Sequence, residues 1–223
     1  MLREIFVSLV MLFTAVPQTT PVVDFTGIVP RNRVREPVSA SASGGAVGGD
    51  AHVAQQESSV AITIVSLEPA REAPGPSVIF EIRLENVSGQ TLALPLDPNL
   101  ADFEPETTDT AYSFTSADFF LVLDLGQDTK AVLPGLSLFG SNKIANSLLQ
   151  LRPGQSIQIR GRTLLKANRR NASKIPARSS VKMALVMQQN SVSEKNGSLH
   201  QDSSQIAPQI TSSNATALVF GPQ

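Results

Sequence analysis

Residues 77–90 read SVIFEIRLENVSGQ. Val78, Phe80, Ile82 and Leu84 alternate with Ile79, Glu81, Arg83 and Glu85. A period of two sends successive side chains to opposite faces of an extended chain. One face here is apolar and the other mostly charged, the pattern of a strand half-buried on a core. The last five residues, Asn86 to Gln90, supply turn chemistry: Asn and Ser bond their own backbone, and Gly tolerates backbone angles that other residues avoid.

The same period extends in both directions. Upstream, Val60, Ile62 and Ile64 alternate with Ala61, Thr63 and Val65. Downstream, Leu92, Leu94 and Leu96 share a face, and Pro95, which has no N–H to donate, points to an edge position. Phe119 to Leu125 (FFLVLDL) is apolar on both faces except at Asp124. A turn over Gly126–Lys130 leads to Ala131–Phe139, a hairpin partner interrupted by Pro134-Gly135. Ser141 to Leu149 is expected as a short helix. Arg152-Pro153-Gly154-Gln155 has Pro at i+1 and Gly at i+2, the signature of a type II turn. Ile157 and Ile159 alternate with Gln158, Arg160 and Arg162, and Val181, Met183, Leu185 and Met187 with Lys182, Ala184, Val186 and Gln188. Thr216 to Phe220 closes the series. About eight short strands result, without the crossover helices that a parallel βαβ sheet needs. The expectation is an all-β, antiparallel sandwich over residues 59–223, with Asn190–Asn214 as a long polar loop.

The succession VAITIVSL (60–67), SVIFEIRLENVSGQ (77–90), FFLVLDLGQDTK (119–130), LRPGQSIQIRGR (151–162) and VKMALVM (181–187) resembles the immunoglobulin-like sandwich domains of exported bacterial proteins. Those domains often carry an apolar strand ending in Asn before a turn, as at Asn86. They also often carry a Leu-x-Pro-Gly-Gln/Glu turn leading into a strand, as at Leu151–Gln155. The antibody-type Cys pair and core Trp are absent, since the chain has no Cys and no Trp. The resemblance implies an Ig-like architecture; it implies no particular activity, because the superfamily hosts many.

Ahead of the body, residues 1–20 read MLREIFVSLVMLFTAVPQTT. The apolar run Ile5–Val16 is too short to cross a hydrocarbon core about 30 Å thick but fits the apolar region of a secretory signal. The expectation is a signal peptide over 1–20, hence a secreted or periplasmic protein. Residues 21–58, with Pro21, Pro30, Pro37 and the run SASASGGAVGGD (39–50), are expected to be a flexible linker. No later stretch offers 18 consecutive apolar residues, so no transmembrane span is expected.

The net charge of −1 hides two opposed blocks. Residues 84–129 hold nine acids and no Lys or Arg; residues 130–193 hold eleven Lys and Arg and no acid. Mutual neutralisation is one reading, and a dipolar surface whose basic side meets an anionic partner is another. In the acidic block, Asp97, Asn99, Asp102, Glu104, Glu106 and Asp109 could offer oxygens to Ca2+. Their spacing departs from the EF-hand: Ala101 stands where a ligand belongs and Asp102 where Gly belongs. In the basic block, Lys166, Arg169, Arg170, Lys174 and Arg178 (within KANRRNASKIPAR) are the candidate anion binders. Between Phe139 and Phe220 the chain has no aromatic residue on which a base could stack. An anionic glycan or surface, or an unknown protein, is therefore expected ahead of nucleic acid.

Catalytic chemistry finds few participants. The two histidines, His52 and His200, fall in the expected linker and the expected loop. Without Cys there is no thiol catalyst or thiolate metal site. Ser179-Ser180-Val181-Lys182 matches S-x-x-K, but in a period-two segment instead of the helix that motif needs. No cofactor motif occurs. Four N-x-[ST] sequons, at Asn86, Asn171, Asn196 and Asn214, would carry glycans only in a eukaryotic secretory pathway. The expected function is an exported, non-catalytic binding or structural module. The alternatives are a loop-mediated inhibitor of an exported protease and, more remotely, a hydrolase using the acidic loop.

Overall fold

A computed structural model describes residues 20–28, 59–70, 77–100, 111–126, 129–164, 178–195, 198–206 and 209–219. Twelve strands run through them: β1 (Val22–Asp24), β2 (Val60–Ala70), β3 (Ser77–Asn86), β4 (Leu92–Pro95), β5 (Ala111–Gly126), β6 (Thr129–Gly140), β7 (Leu148–Leu151), β8 (Ser156–Leu164), β9 (Arg178–Lys195), β10 (Ser198–Gln205), β11 (Ile210–Thr211) and β12 (Thr216–Val219). No α-helix occurs among the described residues.

One sheet has the order β1-β8-β3-β2 and the second β10-β9-β5-β6, with β11 and β12 also paired to β9. β4 and β7 form a separate two-stranded sheet. Every pairing is antiparallel except β1 with β8. The inner faces of the two large sheets share one buried cluster: Ile62, Phe80, Ile82 and Ile159 come from the first, and Phe119, Leu121, Leu138, Met183 and Leu185 from the second. The alternation quoted for residues 78–84 therefore has its stated cause: Val78, Phe80, Ile82 and Leu84 are all buried, whereas Arg83 is exposed. Phe80 lies opposite Gly161 in β8, where an added Cβ would run into its ring. Glycine there gives the sheet room to seat the aromatic.

The two turn motifs are one structural unit. Asn86 is fully buried. Its Nδ2 donates to the carbonyls of Gln90 (2.7 Å) and Leu151 (2.8 Å), and its Oδ1 accepts from the Ser88 N–H (2.9 Å). Its backbone N–H donates to Gln155 O at 3.0 Å, and its carbonyl accepts from the Gly154 N–H at 2.9 Å. The type II turn itself forms as expected, with Gly154 at φ +73° and Gln155 N–H donating to Arg152 O at 3.0 Å. The hairpin of β5 and β6 also forms, absorbing Pro134 through a register shift near Asp118–Phe120.

Three expectations are corrected. Residues 190–214 are not a polar loop: they complete β9 and supply β10 and β11, with β10 in unbroken register from Ser198↔Lys195 to Gln205↔Gln188. Polar residues hold a ladder here because backbone pairing needs no apolar side chain. Ser141–Leu149 is not a helix but a run of turns entering β7. Asn146 adopts φ +61°, which a helix does not allow, and the Ser147 hydroxyl bonds the carbonyls of Ser141 and Ile144. The expected linker is structured at its start, where Val22–Asp24 pairs with Gln158–Arg160 and Phe25 is buried. Residues 1–19 and 29–58 lie outside the described residues, and so do most of the signal segment and the linker.

Candidate functional site

β9 separates the anchors of the two charged loops. At one end, Asp97 exchanges backbone hydrogen bonds with Phe139 (2.9 and 2.7 Å), and its Oδ1 accepts the Asn99 N–H at 2.8 Å. Leu100, Phe114 and Val192 then form a small buried cluster, and Ala111 pairs with Ser193. At the other end, Arg178 is exposed and pairs with Val219. Arg178 and Ser193 are fifteen positions apart on β9, roughly 50 Å at about 3.3 Å per residue. Of the candidate cation ligands, only Asp97 and Asn99 are described, and the Asp97 carboxylate is engaged in closing its own turn. Asp102, Glu104, Glu106 and Asp109 lie outside the described residues, as do Lys166, Arg169, Arg170 and Lys174. Among the described residues no group of three or more His, Asp or Glu is placed to hold a metal ion.

Arg160 shows where one basic side chain finds acids. It lies 3.5 Å from Asp24 and 3.8 Å from Glu81, which faces it across the β3–β8 pair. Neither acid belongs to the 84–129 block. Asp24 is held below the usual carboxylate range, first by the hydrogen bonds of Thr26 (backbone N–H at 2.8 Å) and less by Arg160.

The outward face of the second sheet holds a polar row that the sequence reading did not single out. Ser203 Oγ on β10 donates to Asn190 Oδ1 (2.7 Å), Asn190 Nδ2 donates to Ser116 Oγ (3.2 Å), and Ser116 Oγ donates to Asp118 Oδ2 (3.2 Å). Ser116, Asp118 and Asn190 are buried at 2%, 7% and 3% exposure. Burial pushes the Asp118 carboxyl up, and the Ser137 and Ser116 hydroxyls offset part of that. Beside the row, Phe120, Ala184 and Val186 form a second buried apolar cluster on the same outward face. In sequence, Asp118 is one acid of nine in the acidic block; its neighbours Phe119 and Phe120 were the signal that it sits in a buried strand.

This row is poor catalytic material. The Asn190 amide interrupts any proton relay, the Ser116 hydroxyl gives its hydrogen bond to Asp118, and no imidazole is part of the row. His200 sits in exposed β10, opposite Ser193. In the S-x-x-K match, Ser179 is buried and Lys182 exposed on one strand, so the two side chains leave on opposite faces.

The sequons read differently in three dimensions. The Asn86 amide is buried and fully used by carbonyls. Asn214 lies against the edge of β2: Ile64 N–H donates to its Oδ1 (2.8 Å) and its Nδ2 donates to Ile64 O (2.9 Å). Both amides do structural work that a glycan would prevent. Asn171 and Asn196 lie outside the described residues. No protein-family model matches the chain, and no curated protein is significantly similar to it. No helix among the described residues is long and apolar enough to cross a membrane.

Proposed function

We propose that this chain is an exported, immunoglobulin-like sandwich domain that works by non-catalytic binding, with its basic end meeting an anionic glycan or surface. The observation that carries this reading is the separation of the loop anchors along β9, with Ala111 paired to Ser193 at one end and Arg178 at the other. Charges on loops rooted at opposite ends of β9 do not cancel each other locally, although Asp124 and Lys130 stand opposite each other in the β5–β6 pair. Each end keeps its own potential, and exposed basic side chains such as Arg178 face an outside partner. The Asn86 turn joined to the Arg152–Gln155 turn supports the Ig-like part of the reading. The signal-like segment 1–20 supports export.

The test is retention of the full chain on immobilised heparin and on anionic vesicles, against the double variant Arg169→Glu/Arg170→Glu. Retention at low salt that vanishes by moderate salt and in the variant is expected, because such contacts are screened within about 10 Å at 0.1 M salt. Retention that is equal in the variant, or that survives high salt, overturns the proposal.

A further inference from the structure

The outer edges of the two large sheets are not alike. β1 has three residues and follows Pro21. β2 carries a register shift between Ile64 and Ser66, contains Pro69, and has Ile62 and Ile64 bonded by Ser213 and Asn214. β6 contains Pro134, pairs through a register shift, and is bridged at Phe139 by Asp97. Each edge is blunted by a device that natural sheets use against stray pairing. β10 has none of these. Its eight residues pair with β9 without a shift, and it contains no Pro, Lys or Arg. Among the described residues it ends its sheet, and His200 and Asp202 to Ile206 are exposed. A regular, unblunted edge is a template for an added strand.

The hydrogen-bond phase of that edge selects a partner. Ile206 N–H donates to Met187 O at 3.1 Å, one step beyond the Gln205↔Gln188 pair. Antiparallel ladders alternate, so the even positions from 198 turn their backbone groups to β9. Leu199, Gln201 and Ser203 turn theirs outward. A second β10 meeting the first across a two-fold axis must pair these odd positions with one another. With the axis at Gln201, Leu199 pairs with Ser203 of the partner subunit, and His200 faces Asp202 of the partner subunit on both sides of the axis. An axis at Asp202 instead sets carboxylate against carboxylate, and one at His200 sets imidazole against imidazole. An imidazole N–H directly across a ladder from a carboxylate donates to it, whereas two carboxylates set against each other repel.

We propose that β10 is a self-recognition edge: two copies of this chain dimerise antiparallel through β10 about an axis at Gln201, joining their second sheets into one. This does not depend on the anion-binding reading. Light scattering and sedimentation of the full chain over a concentration series test it. The expected result is a concentration-dependent doubling of mass that is lost in Gln201→Pro. That change removes only an outward N–H, so protection of the Asp202 and Ser204 amides, which point at β9, should persist. His200→Asp and Asp202→His should each weaken the dimer, and the double exchange should restore it. A chain that stays monomeric throughout, or a dimer that survives Gln201→Pro, overturns the proposal. Doubling seen only when a different protein is added assigns the edge to a foreign strand and overturns self-pairing. Single and double exchanges that behave alike overturn the register.

Discussion

β9 is one strand with two kinds of flank. From Arg178 to Leu185 it is lined by β12 and β11. There the bonding continues across Ser212, Ser213 and Asn214 into β2: Ser212 N–H donates to Met183 O (2.7 Å), and Ser213 N–H donates to Ile62 O (3.0 Å). That seam stitches the two sheets together along one side. From Gln188 to Lys195 the same flank holds only β10, with nothing beyond it among the described residues. Side chains follow the division. Val181, Met183 and Leu185 are inward and almost wholly buried, whereas Asn190 is held by Ser116 and Ser203. Backbone pairing is continuous along β9, but the large shared core gives way to the small cluster of Leu100, Phe114 and Val192 and to hydrogen bonds. A hydrogen bond exchanged against water contributes only about 1 kcal/mol net, so the second half is the part free to take a new neighbour.

The contrast can be broken from the largest effect downward. Leu185→Ala empties part of the shared core and should destabilise by about 2–5 kcal/mol in denaturant unfolding. Asn214→Ala opens the seam, leaving the Ile64 N–H and carbonyl without a partner. It should cost about 1–3 kcal/mol and speed exchange of the Ile64 amide. Asp118→Asn acts in the opposite direction. Folding raises the Asp118 pKa, so the folded chain holds that proton more tightly than the unfolded one. Its contribution is full below the ordinary carboxylate range and is lost as pH rises through the folded value. The variant should therefore melt a few degrees higher than wild type at neutral pH, and the gap should close on acidification; a constant gap would remove the titration as its cause. Ser203→Ala is the mildest. It loses one bond to Asn190, should cost under about 1 kcal/mol, and should raise amide exchange in β10 without changing Val181–Leu185.

Much of the core was legible because burial writes itself as alternation. Val60, Ile62 and Ile64, Phe80 to Leu84, and Val181 to Leu185 alternate in sequence and are buried in the structure. The turn at Arg152–Gln155 was legible because Pro and Gly each have a fixed backbone consequence. The β9–β10 hairpin was missed for want of apolar alternation, although Lys195-Asn196-Gly197-Ser198 carries the Asn-Gly pair that marks a two-residue hairpin loop. β1 was missed because three residues beside Pro21 carry too short a pattern to read. Asp118 was counted only as one acid of the block, because charge in a sequence carries no depth and its neighbours Phe119 and Phe120 alone mark the burial. The joining of Asn86 to Leu151 and of Asn214 to Ile64 spans 65 and 150 residues, beyond any local signal.

The sequence by itself determined that the body is pleated and that its oily faces must meet, because periodicity is a local property of the chain and water enforces its consequence. It also determined the blocks of opposite charge. Only the tertiary structure decided that the anchors of the two charged loops stand at opposite ends of β9, that the Asn214 amide closes the edge of β2, and that among the described residues nothing pairs with the outer side of β10. Those outcomes depend on which strands become neighbours, and strand neighbours are set by the packing of distant segments, not by any residue's own preference.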